Sequence, residues 1–211
     1  VKLIVGVDEV AFGAIAGPLV VAAVAFRADT KRPVLKRVKR KDIPVKDSKL
    51  INHSLLPLFE ELIQGCCEEF VVWSCMPQRI DEVGVGEARR EAMVVAVTRL
   101  LQRIAFESFN PDVDDYKVIV DGDIDLGTPT FKYKAKAGAD RDIWQVSAAS
   151  ILAKAAQVRI MRDLQTKNAR YQQYGWDRNH GYGTAEHIEA IRTYGVTQHH
   201  RRSYRTIKEL L

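Results

Sequence analysis

The sequence predicts an α/β domain that finishes in a helical C-terminal extension. Short β-branched apolar segments lead the chain, long helical patterns interleave with the later strands, and the end is polar, aromatic and basic with short helices. At 211 residues the chain suits one domain with a small appendage. A soft boundary near Arg170 divides it into 1–169 and 170–211.

Taken in order, Lys2 to Val7 reads as a buried strand that stops at Asp8. Gly13, Gly17 and Pro18 punctuate a turn, and Leu19 to Phe26 is a second, nearly all-apolar strand. From Arg27 to about Lys49 we expect a loop, with Pro33 and Pro44 keeping it irregular. His53 to Gln64 has helical spacing (Leu55, Leu58, Phe59, Leu62) and a stop at Gly65. Glu69 to Cys75 is a third strand, and Glu87 to Phe109 a long helix. Lys117 to Val120 is a strand ending at Asp121, and Thr130 to Ala137 another after the Gly127–Pro129 turn. Ser147 to Thr166 is a helix whose core face carries Ala148, Ile151, Leu152, Ala155 and Leu164. Short helices follow near Ala185–Tyr194 and at the end.

Composition narrows the function classes. The apolar run from Pro18 to Phe26 is too short to cross a bilayer, and nothing before it reads as a secretory signal. Three cysteines, two of them adjacent, suit neither a disulfide framework nor a zinc spacing, so we expect a cytoplasmic protein without membrane partners. The net charge of +5 is modest but clustered: nine lysines or arginines against two acids between Lys31 and Lys49, and a second group at His199–Lys208. Such clusters fit a polyanion by counterion release, although either alone is equally a solvated surface.

Two acidic sites lie where apolar strands stop, Asp8–Glu9 and Asp121. A strand end holds a carboxylate within the tolerance a metal needs, and hard cations want carboxylate oxygens, water and substrate phosphate. Adjacent strand residues face opposite ways, so Asp8 and Glu9 share one ion only if the chain turns there. By themselves these residues are as well explained as solvated turns.

The surrounding motifs carry more. Gly6-Val7-Asp8-Glu9 through Gly17-Pro18, Asp47-Ser48-Lys49, Val120-Asp121-Gly122, Ser147 to Lys154 with Asp140 seven residues before it, Gly181-Tyr182-Gly183-Thr184 with His187, then Gly195 and His200 to Tyr204, follow one another along residues 6–204. This series resembles the type 2 ribonucleases H. The resemblance implies a ribonuclease H fold: a mixed five-stranded sheet flanked by helices, with a C-terminal helical region, 170–211, that clamps substrate. It implies that Asp8, Glu9, Asp121 and Asp140 are catalytic ligands for Mg2+ or Mn2+, two ions together. It further implies that Tyr182 lies against the substrate near the scissile step and that Lys49 contacts its backbone. The expected reaction is endonucleolytic hydrolysis of the RNA strand of RNA/DNA hybrids, leaving 5′-phosphate and 3′-hydroxyl ends, by a monomer that senses 2′-hydroxyls. Four like charges in a ring should raise carboxylate pKa values when no cation is bound.

The chain departs from the pattern at the turn. Where the family has Ala-Gly-Arg-Gly, this sequence reads Val10-Ala11-Phe12-Gly13. Phe12 and Gly13 stand where the family grips the phosphate beside a ribonucleotide–deoxyribonucleotide junction, and a phenyl ring donates no hydrogen bond. Ala11 also resists the positive φ that glycine permits. We therefore expect weakened recognition of single embedded ribonucleotides, with Phe12 stacking on substrate or, the preferred reading, packing under the loop. Also, His180 replaces a lysine before Gly181, and Gly84 an asparagine. A hybrid-binding protein that does not cut, or a nuclease of this fold acting on branched DNA, remain alternatives. His199–His200 and the arginines beside them read as a basic patch facing nucleic-acid backbone rather than a metal site. Trp73, Tyr171 and Tyr174 are expected to pack; Trp144 and Trp176 could do either.

Overall fold

The computed structural model describes residues 2–38, 41–46, 48–108 and 115–211. Its elements are β1 (Leu3–Val10), β2 (Leu19–Arg27), β3 (Val34–Val38), β4 (Lys41–Pro44), α1 (Leu56–Gln64), β5 (Glu69–Cys75), α2 (Pro77–Val83) and α3 (Val85–Ser108). There follow β6 (Tyr116–Asp121), β7 (Tyr133–Lys136), α4 (Ala139–Asp142), α5 (Trp144–Lys167), α6 (Trp176–Asn179), α7 (Ala185–Tyr194) and α8 (Arg205–Lys208). Five strands form one mixed sheet in the order β5-β2-β1-β6-β7. β1 runs antiparallel to β2 and parallel to β6, β2 antiparallel to β5, and β6 parallel to β7. This is the mixed five-stranded α/β architecture that the sequence predicts.

The all-apolar composition of β2 follows from its place in the sheet. Leu19, Val21, Ala23 and Ala25 face α3, with Val5, Val7, Val118 and Val120 of the neighbouring strands beside them. Val20, Ala22, Val24 and Phe26 face α1 and α5. Both faces are covered, so Leu19 to Phe26 are all fully buried and alternation with polar residues is lost. Gly6 lets β1 lie directly against the start of α5, because a Cβ there would stand 2.2 Å from the Gln145 carbonyl oxygen.

Several boundaries differ from the expectation. β1 does not stop at Asp8 but pairs with β2 through Val10, because Asp8, Glu9 and Val10 still find partners in Ala22, Val21 and Val20. The basic stretch is not wholly irregular: β3 and β4 make an antiparallel hairpin, and Leu35, Ile43 and Val45 anchor it on the α1–α5 core. The helical spacing from His53 begins as a 3-10 turn, His53–Leu55, and becomes α-helical at Leu56. Asp47 and Phe109 lie outside the described residues.

After α5, a 3-10 turn (Ala169–Tyr174) leads into α6–α8. Tyr174, Trp176, Ala190, Ile191 and Ile207 form an apolar cluster with Met161 of α5 and with Ile15 and Ala16 of the β1–β2 turn. Trp176 is fully buried and donates to His187 Nε2 at 3.0 Å, so it is core. Trp144 is partly buried edge-on to Phe26, and Trp73 is partly buried with Arg99 stacked 4.1 Å from its ring. Among the described residues, no helix is long and apolar enough to cross a membrane.

Candidate active site

Strand alternation decides where the two adjacent acids point. Val5 and Val7 face α3, so Asp8 turns to the α5 side and Glu9 back to the α3 side. Asp8 accordingly accepts from Ser150 of α5, and Glu9 forms an ion pair with Arg89 of α3, with Nε 3.0 Å from Oε1. The parallel register pairs Val7 with Val120, which brings the next residues, Asp8 and Asp121, out side by side. Asp140 follows from α4, where its backbone N–H donates to Asp121 Oδ1 at 3.2 Å. Asp8 and Asp140 are nearly buried, at 4% exposure each.

The electrostatics match this crowding. Burial, the Glu9 charge and the Asp121 charge hold the Asp8 carboxyl well above its usual range, against hydrogen bonds from Ser150 and the Glu9 N–H. Burial raises Glu9 as well, outweighing the lowering by Arg89. Glu9 Oε2 is buried without a partner. An all-oxygen donor set with an orphaned oxygen and poorly compensated negative charge fits a hard divalent cation. Among the described residues, however, no three side chains already converge as ligands for one ion. Arg89 draws Glu9 towards α3, and Lys49, largely exposed, stands 3.4 Å from Asp140 Oδ2.

A polar stripe on α5 holds the surrounding loops. Ser147, Ser150, Lys154 and Gln157 recur at spacings of three and four, hence on one face. Ser147 Oγ donates to the Asp140 carbonyl (2.6 Å), Ser150 Oγ meets Ser48 Oγ (2.9 Å), Lys154 Nζ donates to the Ser48 carbonyl (2.8 Å), and Gln157 Nε2 to the His180 carbonyl (2.6 Å). One helix thus fixes the Asp140 segment, the Ser48-Lys49 loop and the approach to Tyr182.

Beyond β1 the chain enters the turn that the sequence singles out. Ala11 adopts φ +66°, so the left-handed conformation persists without glycine. Fully buried Arg201 holds it there, donating to the carbonyls of Ala11 (2.7 Å), Phe12 (3.1 Å) and Gly17 (3.0 Å). The Gly181 carbonyl accepts from the N–H groups of Ile15 and Ala16, and a Cβ on Gly181 would stand 2.2 Å from the Ala16 carbonyl oxygen. Tyr182 hydrogen-bonds the Ala11 backbone and remains 41% exposed. Gly13 is exposed, and so is Phe12, at 42%, so Phe12 does not pack under the loop as expected.

The expectation of a backbone-facing basic patch is corrected for the middle of the His199–Arg202 segment, while Arg202 is exposed. His200 and Arg201 are buried, and burial beside His187 pushes the His200 imidazole down to about 3. Sequence reasoning missed two side chains that shape the site. Arg201 sat inside a quoted motif but was read as surface charge. Arg89 belonged to no motif, and nothing in a helical run marks one arginine as facing an acid on a distant strand.

An α/β sheet with carboxylates gathered at the end of its central parallel strand pair defines a ribonuclease H-like fold. The comparisons narrow this class. A family model described as Ribonuclease HII matches residues 5–207. Ribonuclease HII of Geobacillus sp. (strain WCH70) is 32% identical over 211 residues, all of this chain and 67% of the relative; that of Cupriavidus necator is 35% identical over 211 residues, covering all of this chain and 79% of the relative. The ribonuclease H2 crystal structure from Pyrococcus horikoshii OT3 superimposes with TM-score 0.73 at 27% identity, over 99% of this chain and 96% of that one. Bst-RNase HIII in complex with Mn2+ shares the fold, with TM-score 0.69 at 17% identity, over 99% and 68% of the two chains. The chain belongs to the ribonuclease HII family: it is a ribonuclease H, an endonuclease acting on RNA in RNA/DNA hybrids.

Proposed function

We propose that Asp8, Glu9, Asp121 and Asp140 hold divalent ions, Mg2+ or Mn2+, at which the RNA strand of a hybrid is hydrolysed to 5′-phosphate and 3′-hydroxyl ends. The observation that carries this reading is the side-by-side emergence of Asp8 and Asp121 from paired strands, with Glu9 and Asp140 adjoining them. When bound, such ions supply a water nucleophile at neutral pH and charge stabilisation for the leaving oxygen. The protein's own part is positional. Ser150 and the Glu9 N–H fix the Asp8 carboxylate, the Asp140 N–H fixes Asp121, and Ser147 fixes the Asp140 backbone. The Mn2+ in the related Bst-RNase HIII supports divalent-metal use here.

Substrate lies, in this reading, across Phe12, Gly13, Lys49 and Tyr182, with 170–211 as the clamping region. The exposed phenyl ring of Phe12 offers stacking where a hydrogen-bond donor is needed to hold one junction phosphate. RNA tracts are therefore cut well and single embedded ribonucleotides poorly. The test is a cleavage panel in Mg2+ and in Mn2+: an RNA tract on DNA, one embedded ribonucleotide, all-DNA duplex and branched DNA. Equal rates on the first two would refute the specificity claim. Cleavage of branched DNA alone would refute the substrate assignment.

A further inference from the structure

Arg89 stands at a junction of three features. Its Nε lies 3.0 Å from Glu9 Oε1, its Nη2 donates to the Asp121 carbonyl at 3.0 Å, and its guanidinium carbon lies 5.8 Å from the centre of the exposed Phe12 ring. Both members of the Glu9–Arg89 pair are mostly buried, at 13% and 17% side-chain exposure. Even so, the pair is only half satisfied. Arg89 Nε forms no well-aligned hydrogen bond despite its short distance to Glu9, and Glu9 Oε2 has no partner. Gly122 makes room for this placement, since a Cβ there would stand 2.5 Å from Arg89 Nη2.

A buried ion pair with a donor and an acceptor left over is poorly compensated for its desolvation. Such a pair is suited to exchange partners rather than to brace the fold. We propose that Arg89 is the internal counter-cation of the carboxylate cluster: it neutralises Glu9 before metal loads, and once a divalent ion takes Glu9 the guanidinium is released towards the Phe12 turn, where it holds a substrate phosphate. The inference rests on the reading of Glu9 as a metal ligand. It accounts for why the carboxylates do not already converge, and it gives an RNA tract a backbone-phosphate contact from the helix behind the turn, distinct from the junction phosphate that the turn itself does not grip. A guanidinium suits that task, because its planar fork matches phosphate oxygens while its aromatic-stacking face suits Phe12.

Calorimetric Mn2+ titration of the full chain, wild type against Arg89→Gln, Glu9→Gln and the double variant, tests the first half. Removing the competing cation should tighten Mn2+ binding by several-fold to about tenfold in Arg89→Gln, an effect of ordinary charge-pair size. In the Glu9→Gln background the same change should do little. If Glu9→Gln leaves Mn2+ affinity untouched, the metal-site reading itself fails. If Glu9→Gln weakens binding but Arg89→Gln does not tighten it, the counter-cation role alone fails. Anisotropy of a labelled hybrid in excess Ca2+ or in EDTA tests the release. Arg89→Gln should weaken hybrid binding by about tenfold in Ca2+, the loss expected for one charge-assisted phosphate contact, and hardly at all in EDTA. Arg89→Lys, which keeps the charge and shortens the fork, should keep wild-type Mn2+ affinity yet bind hybrid weakly. Equal hybrid binding by wild type and Arg89→Gln in Ca2+ overturns the release, and so does an equal loss in both conditions.

Discussion

Asp8, Glu9 and Asp121 stand on regular strands, where period-two alternation and a parallel register place them; the turn from Ala11 to Gly17, which begins two residues further on, is irregular and held from the far end of the chain. In the first region order comes from the sheet, and the strain is electrostatic: buried carboxyls with raised pKa values. In the second, a buried guanidinium meets carbonyls and the Tyr204 hydroxyl in place of a carboxylate, and the strain is in the backbone, an alanine at φ +66°. Arg201 reaches that alanine across 190 residues of sequence. A rigid ledge of unfavourable charge thus faces a clamp of unfavourable backbone geometry. Each is tolerated because neighbouring structure fixes it.

The largest effect should come from breaking the ledge. Asp121→Asn removes a ligand in our reading without disturbing the strand, so hydrolysis of an RNA tract should fall by at least about a thousandfold, as expected when metal chemistry is lost. Hybrid binding should stay within a few-fold, because the turn and the 170–211 region, which hold substrate in our reading, are untouched. Single-turnover cleavage and anisotropy on the same substrate measure the two. Retained cleavage would show that the carboxylates are not the reacting centre.

Breaking the clamp should act differently. Arg201→Met keeps bulk but strands the Gly17 carbonyl and takes one donor from the carbonyls of Ala11 and Phe12, which keep the Ala14 N–H and the Tyr204 hydroxyl. The stranded acceptor costs roughly 1–3 kcal/mol and each lost bond about 0.5–1.5 kcal/mol before relaxation. We expect a total loss of about 2–4 kcal/mol in urea unfolding, since relaxation and water recover part of that sum. The surviving folded enzyme should show a raised KM with a smaller change in kcat, since substrate grip is affected before chemistry. A fall in kcat with KM unchanged would mean that the turn belongs to the reacting centre and that the two regions are not separable.

The contrast also explains what could be read in advance. Two strand-end acids, an apolar β2 and a small-residue helix are local patterns of period 2 or 3.6, and they survive into the fold with shifts of a few residues. The quoted motifs placed the four carboxylates near one another, and the register of β1 on β6 does bring Asp8 beside Asp121. By contrast, the partners of Arg201 and Arg89 are set by tertiary packing. One lies in a segment that reads as solvated charge, the other in an unremarkable helix, and no spacing rule links either to its target. Phe12 was misjudged for a related reason. Apolar residues are expected inside, and Ala11, Ala14, Ile15 and Ala16 are, but the tip of the turn, pinned by its carbonyls, leaves Phe12 facing outwards.

The smallest effect sharpens the comparison most, because it separates strain from contact. Besides deleting one buried methyl group, Ala11→Gly keeps every carbonyl that Arg201 bonds and changes the intrinsic cost of the left-handed conformation. That cost is about 1–2 kcal/mol for a residue with a Cβ, offset by roughly 0.5–1 kcal/mol of extra chain entropy lost by glycine. On this backbone balance the variant should be more stable by about 0.5–1 kcal/mol, a shift of about 1–4 °C in melting temperature for a chain of this size. Cleavage of an RNA tract should hold, because the backbone already lies in the conformation that glycine prefers. A drop in stability would mean that the methyl group of Ala11, 2% exposed, packs well enough to repay its backbone. The turn would then be a piece of core that happens to be left-handed, and not a strained clamp.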